Sequence, residues 1–452
     1  MNSIEKCRVI GVLDDGAVSL GHTALAHLQQ AQVVIGGART LQLLAAHIAP
    51  GAEQRDLTGA LSQVAEWIRS AQADGLRAVV LATGDPLCHG IAAYLASRLC
   101  IEALEILPNV STLQLACARL CLPWQDMKFS SVHSKDAGDW VSGSGPEHGL
   151  YALLRDIRQH DRLAILTSPA NTPDRIARML VAEGLADDFE MAVAERLCQP
   201  QERIVSGLSI RAAAQMPFAE LNVVLLWRTA LRQPQVLFGL PDASFAQRQP
   251  EKGLITKNEV RAVSLARMQL RLDSVVWDIG AGSGSVGLEA ARLCRMGHVY
   301  AIEKNVDDCA NVLTNRLAMG ISNHTLVHGK APDGLQDWAD PDAVFIGGSG
   351  GELAELIALI VQRLKPEGWL VMNFVTLENL SLAIETLKSL GAAWDVLQLQ
   401  ASRSKPILHM NRMAAENPVW IVCAQKVSVH NPAGLSKKPP APATGLTEKS
   451  DD

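Results

Sequence analysis

The segment Val275-Val-Trp-Asp-Ile-Gly-Ala-Gly-Ser-Gly-Ser-Val-Gly287 constrains this chain more than any other. An apolar run ends near Asp278, glycines follow at 280, 282, 284 and 287, and a helical pattern begins near Leu288. Strand, glycine loop and helix in that order let the backbone approach a ligand closely, beside unpaired N–H donors at the helix start. A second run, His298–Glu303, ends on a carboxylate about twenty residues further on, where it can accept from both hydroxyls of a ribose. The pattern predicts an α/β unit with a nucleoside pocket at its strand ends.

The rest of the chain extends this pattern in both directions. Strands are predicted at Arg8–Val12, Val33–Gly36, Ala78–Ala82, Leu104–Leu107, Leu163–Thr167 and Asn222–Trp227. A second set follows residue 255: Val275–Ile279, His298–Glu303, Thr325–Gly329, Ala343–Ile346, Trp369–Asn373, Trp394–Gln400 and Val419–Ala424. Amphipathic stretches such as Ala60–Ala71 and Gly90–Arg98 separate them at helical spacing. The alternation predicts mainly parallel, covered sheets. Residues 1–228 form a first domain of two α/β lobes with a boundary near 108, and 255–426 form a second. The prolines and absent periodicity of 229–254 mark a linker, 135–149 reads as a surface loop or lid, and 427–452 reads as a disordered tail.

Composition excludes several alternatives. The 452 residues are 48% hydrophobic and 19% charged, enough apolar material for more than one core. A net charge of −6, without a Lys/Arg cluster of five or more, argues against nucleic acid as a partner. No apolar run approaches the ~18 residues that span a bilayer, and the first residues lack the pattern of a signal peptide. A cytoplasmic protein with reduced thiols is expected, its nine cysteines having no metal-ligand spacing. Cys117 and Cys121, four apart, read as small core residues rather than a metal pair.

Two nucleoside chemistries fit the glycine loop. Gly282-x-Gly284-x-x-Gly287 satisfies the dinucleotide fingerprint of a nicotinamide oxidoreductase. The longer form Asp278-x-Gly280-x-Gly282-x-Gly284 is instead that of S-adenosylmethionine-dependent methyltransferases, with Asp278 at the donor's amino-acid end and Glu303 on its ribose. In the first half, Gly11-Val-Leu-Asp-Asp-Gly16, Ala82-Thr-Gly-Asp-Pro-Leu87 and Pro108-Asn-Val-Ser-Thr112 follow predicted strands. Three such loops in one domain suggest a ligand crevice.

Together these loops, with QVVIGGARTL and PNVSTLQLACARLCLPWQD, make the first half resemble the tetrapyrrole methylase superfamily, in its precorrin-6Y methylase branch. The second half resembles the partner methyltransferase of the same step through LITKNEVRAVSLARMQLRLDSVVWDIGAGSGSVGLEAARL, DAVFIGGSGGELAE, RLKPEGWLVMNFVTLENL and NPVWIVCAQK. Joined over about residues 5–426, they resemble the fused, decarboxylating precorrin-6Y methyltransferases. The resemblance implies an amino-terminal two-lobed tetrapyrrole methylase fold joined to a carboxyl-terminal Rossmann-like methyltransferase fold. It implies one S-adenosylmethionine site per domain, a tetrapyrrole substrate and a homo-oligomer, with carbon 5 methylated by the first half, and carbon 15 methylation and decarboxylation by the second. A methyltransferase for RNA or protein and a non-catalytic tetrapyrrole sensor are the alternatives.

The residues the resemblance assigns to the donor are Asp278, Gly280, Gly282, Gly284, Glu303, Ala331 and Thr256 in the second half, and Gly84, Asp85, Pro86, Ser111 and Thr112 in the first. Asp14, Asp15 and Ser349 are catalytic candidates. Arg261, Gly348, Gly350, Arg403 and Lys405 are candidates for holding a substrate rich in carboxylates. Two positions depart from the family pattern: Leu13 stands where glycine is usual, and Lys330 where an acidic residue is usual.

Overall fold

A computed structural model describes residues 5–133, 136–232, 236–248 and 255–426. The tail assigned to 427–452 lies outside them. Three sheets carry the fold. The first holds β1 (Cys7–Val12), β2 (Val33–Gly36), β3 (Glu53–Asp56), β4 (Ala78–Thr83) and β5 (Leu104–Leu107), all parallel in the order β3-β2-β4-β1-β5. Apolar clusters cover both faces, one containing Val9, Ile35 and Val80, the other Ile10, Val34 and Leu81. That two-sided burial makes β1 and β4 read as continuous apolar runs. Charged β3, Glu-Gln-Arg-Asp, sits on the sheet edge, where charge discourages pairing with other chains; it has no apolar alternation to reveal it.

The second sheet holds β6 (Lys128–Ser131), β7 (Arg162–Leu166), β8 (Phe189–Glu195), β9 (Arg203–Ser209) and β10 (Asn222–Arg228), in the order β6-β7-β10-β8-β9. Only β6 and β7 are parallel; every other pair is antiparallel, against the expectation of mainly parallel sheets. This antiparallel sheet is also covered on both faces, so Leu163–Ile165 and Val223–Leu226 are buried throughout and resemble parallel strands in sequence. The helix Thr112–Arg119 packs on β7 and β10. Ser111 caps it, its hydroxyl accepting from Gln114 N at 3.1 Å while Gln114 Oε1 accepts from Ser111 N at 3.0 Å.

The third sheet contains β11 (Val275–Ile279), β12 (His298–Glu303), β13 (His324–His328), β14 (Ala343–Ile346), β15 (Trp369–Phe374), β16 (Ala393–Leu399) and β19 (Val419–Gln425). Its order is β13-β12-β11-β14-β15-β19-β16, with β19 antiparallel to both neighbours and the others parallel. A separate hairpin, β17 (Ser402–Ile407) and β18 (Met410–Ala415), lies outside it.

The halves meet across a buried seam. Residues 136–149, expected as a lid, are part of that seam. Trp140 is buried and its Nε1 donates to Glu183 Oε1 at 3.0 Å. Arg316, from the helix Val306–Ala318 of the second half, pairs with the same oxygen at 3.2 Å; Arg158 takes Oε2, also at 3.2 Å. Thr325 Oγ1 donates to Gly143 O at 2.9 Å, and Tyr151 Oη lies 2.8 Å from His298 Nδ1.

Candidate active sites

Parallel strands leave their carboxyl ends open, and each half gathers its loops there. In the second half the loops after β11, β12, β13 and β14 enclose a cavity of about 380 Å³. Gly280, Gly282, Glu303, Ala331, Gly348, Ser349 and Gly350 line it. Glu303 is positioned by backbone: Oε2 accepts from Gly282 N at 2.9 Å and Oε1 from Asn305 N at 2.8 Å. Each oxygen keeps further lone-pair capacity for a diol. Gly280 has φ +70°, and a Cβ there would lie 2.5 Å from Gly348 O, so the loops after β11 and β14 touch backbone to backbone.

Other members of the predicted set lie behind this surface. Asp278 is buried; burial, aided by the Glu303 charge, pushes its carboxyl up to about 7. Its Oδ2 accepts from Gly287 N at 3.0 Å, and its Oδ1 is buried with no partner among the described residues. A Cβ on Gly287 would stand 2.4 Å from that same Oδ2. Gly287 thus gives the close helix–strand packing of a third fingerprint glycine, its N–H taken by a carboxyl oxygen. Gly284 is the left-handed N-cap of the helix Ser285–Leu293, and it supports the loop rather than lining the cavity.

The cationic candidates fare differently from expectation. Arg261 is fully buried: it pairs with Glu289 at 3.2 Å and Asp242 at 3.2 Å, and donates to Thr256 O at 2.6 Å. It cannot meet a substrate carboxylate, and Thr256 serves it through a carbonyl away from the cavity wall. Arg403 is neutralised by Glu259, Asp242 and Glu416, and Lys405 lies exposed on β17. Neither lines the cavity. Lys330 does; its Nζ lies 2.7 Å from Glu352 Oε1, and its side chain packs over Gly350.

In the first half a cavity of about 650 Å³ opens between the first two sheets. Asp14, Asp85, Ser111 and Thr112 line it, as do His89 and His133, which sequence reasoning had not singled out. Gly84 has φ +65°, and a Cβ on Gly11 would lie 2.2 Å from Gly84 O. Here a glycine inside β1 lets the loop after β4 lie against the strand. Pro86 stands behind the wall, its carbonyl accepting from Ala92 N at 3.0 Å. Asp14 Oδ2 receives Arg39 Nη1 at 2.7 Å and Gln199 Nε2 at 2.5 Å, tying the lobes together. Asp15 does not line the cavity, and its Oδ1 is buried with no partner among the described residues.

Residues 8–210 match the family model described as tetrapyrrole (corrin/porphyrin) methylases, and 249–426 match a precorrin methyltransferase domain. A precorrin-6Y C(5,15)-methyltransferase [decarboxylating] from Sinorhizobium sp is 31% identical over 414 residues, 91% of this chain and 94% of that one. A probable cobalt-precorrin-6B C(15)-methyltransferase (decarboxylating) from Pyrobaculum calidifontis is 38% identical over 195 residues, 42% of this chain and 97% of its own. The crystal structure of a precorrin-6Y C5,15-methyltransferase from Geobacter metallireducens is 42% identical, covers 42% of this chain and 100% of its own, and has a TM-score of 0.41. With a relative aligned over nine-tenths of both chains and a model matched in each half, the chain belongs to the family of fused, decarboxylating precorrin-6Y C(5,15)-methyltransferases.

Proposed function

We propose that this chain methylates carbons 5 and 15 of precorrin-6Y and releases the carbon-12 acetate carboxyl as carbon dioxide, giving precorrin-8X. The observation that carries this reading is the pairing, in one chain, of two strand-end cavities, each beside a glycine that lets two backbone segments touch. The reading assigns one donor to each cavity, carbon 5 to the first half, and carbon 15 with decarboxylation to the second. The Pyrobaculum relative, about as long as one half and named for the C(15) reaction alone, supports the division. A metal-free substrate is favoured because the Sinorhizobium relative, which spans both halves, carries the precorrin name.

S-Adenosylmethionine supplies an electrophilic methyl when bound. The residues present fit it: Glu303 would take the ribose, the Gly280–Gly282 backbone the amino-acid end, and Ala331 would border the adenine. In the first half Asp85, Ser111 and Thr112 would hold the donor beside Asp14. Transfer at each site would form a C–C bond at a ring carbon as the donor's S–CH3 bond breaks and a ring proton leaves. In-line holding supplies most of the rate, so no activated nucleophile is required. Loss of carbon dioxide leaves electrons in the conjugated ring, and protonation of the side chain completes the new methyl.

The test is incubation of the full chain with precorrin-6Y and methyl-labelled donor, alongside calorimetric titration with S-adenosylhomocysteine. Two labels per ring, one carbon dioxide and two sites per chain are expected. A product without label, or binding of NADH in place of S-adenosylhomocysteine, overturns the reading. The cobalt-containing substrate run in parallel decides the metal question.

A further inference from the structure

The stretch between the halves is stitched onto the second half. Gly239 N and Leu240 N donate to the buried carboxylate of Glu289, at 3.0 and 2.8 Å. Phe245 is buried beneath the Arg261 guanidinium, 4.8 Å from its ring centroid. Asn315 then clamps Ala246 from both sides, Oδ1 accepting from its N at 2.7 Å and Nδ2 donating to its O at 2.9 Å. The same Nδ2 donates to Ser283 O, inside the glycine loop, at 2.9 Å. The chain is thereby delivered to the rim of the donor cavity, where Arg248 forms part of the wall beside Glu303, Lys304 and Asn305.

Arg248 is held there in a fixed plane. Its Nε donates to Asp308 Oδ1 at 2.8 Å while Nη2 pairs with Oδ2, a fork-to-fork contact on a buried carboxylate. Such a pair uses one edge of the guanidinium and leaves its faces available, and a flat delocalised cation is a stacking partner for an aromatic ring. Glu303, which would take the ribose, borders the same cavity, so the ring within reach is the purine.

We propose that Arg248, supplied by the interdomain stretch, is a positioning residue of the carboxyl-terminal donor site and stacks on the adenine of the methyl donor. The inference rests on the donor assignment made above. It makes the stretch before residue 249 a component of the second site rather than a passive tether.

The test uses the full chain and two probes, S-adenosylhomocysteine and 5′-methylthioadenosine, which lacks the amino-acid end. Arg248→Ala weakens both at one of the two sites by the same factor, about tenfold, and raises the donor KM for carbon-15 methylation while leaving kcat unchanged. Arg248→Lys keeps a cation opposite Asp308 but not the plane, so it shows the same loss. Full affinity in Arg248→Lys would mean that the residue is only a tether, and weakening of S-adenosylhomocysteine alone would place it at the amino-acid end. Either outcome overturns the proposal. Wild-type chain that binds neither probe at this site sinks the donor assignment itself, a result distinguishable from both.

Discussion

Gly11, near the end of β1, and Gly280, just after β11, each stand where another strand-end loop presses on the backbone with no room for a side chain. A Cβ would lie 2.2 Å from Gly84 O at Gly11 and 2.5 Å from Gly348 O at Gly280, and both contacts are to backbone that cannot swing aside. Gly280 adds a left-handed φ, which costs an L-residue roughly 1–2 kcal/mol. Gly280→Ala should abolish carbon-15 methylation and leave carbon-5 methylation measurable on a substrate already methylated at carbon 15; Gly11→Ala should do the reverse. Loss of both activities in either variant would show that the cavities do not work separately. The glycine spacing and Glu303 were legible in the sequence because local chemistry dictates them. The burial of Arg261 was not, since its partners Glu289 and Asp242 are distant in sequence and an arginine near a pocket motif reads equally well as a ligand.

Individual elements were readable where burial is one-dimensional and opaque where it is not. β11, β12 and β14 coincide with their predicted spans because each is an apolar run ended by a turn. The hairpin β17–β18 is exposed along most of its length and has no apolar period to announce it. The helices that join the halves give no local sign either: the helix Pro173–Ala182 leads to Glu183, and the helix Val306–Ala318 carries Arg316, 133 positions away. Both side chains are buried, at 0% and 1% exposure, and burial pulls the Arg316 guanidinium below its usual range while Glu183 opposes that shift. Removing Arg316 takes one of two cations from the buried Glu183 and leaves Arg158 on its other oxygen, so the loss falls below the ~3–5 kcal/mol of a buried pair broken outright. Arg316→Ala should therefore lower the thermal midpoint and split a single calorimetric transition into separate transitions of the two halves. An unchanged, single transition would show that the seam holds without the pair.

Across the whole molecule the seam also sets the response to acid and to cutting. His298 and His324 are buried beside Arg316, and burial first, then that positive charge, pulls each imidazole down to about 3. An exposed histidine takes its proton near 6.5. Between these values the opened chain binds more protons than the closed one, so stability is full above about 6.5 and falls as pH drops towards 3. His324 is fully buried and burial is what chiefly keeps its imidazole neutral, so His324→Leu keeps the site apolar and should reduce the acid loss. Cleaving the chain between residues 229 and 235 leaves both this seam and the stitched segment 236–248 intact. The products should co-elute as one complex at pH 7.5 and separate into two species near pH 4.5, monitored by size-exclusion chromatography with light scattering. Separation already at pH 7.5 would mean that the covalent connection, not the buried seam, keeps the two halves together. Co-elution at pH 4.5 would remove the histidines from the explanation and leave the Glu183–Arg316 pair to carry it.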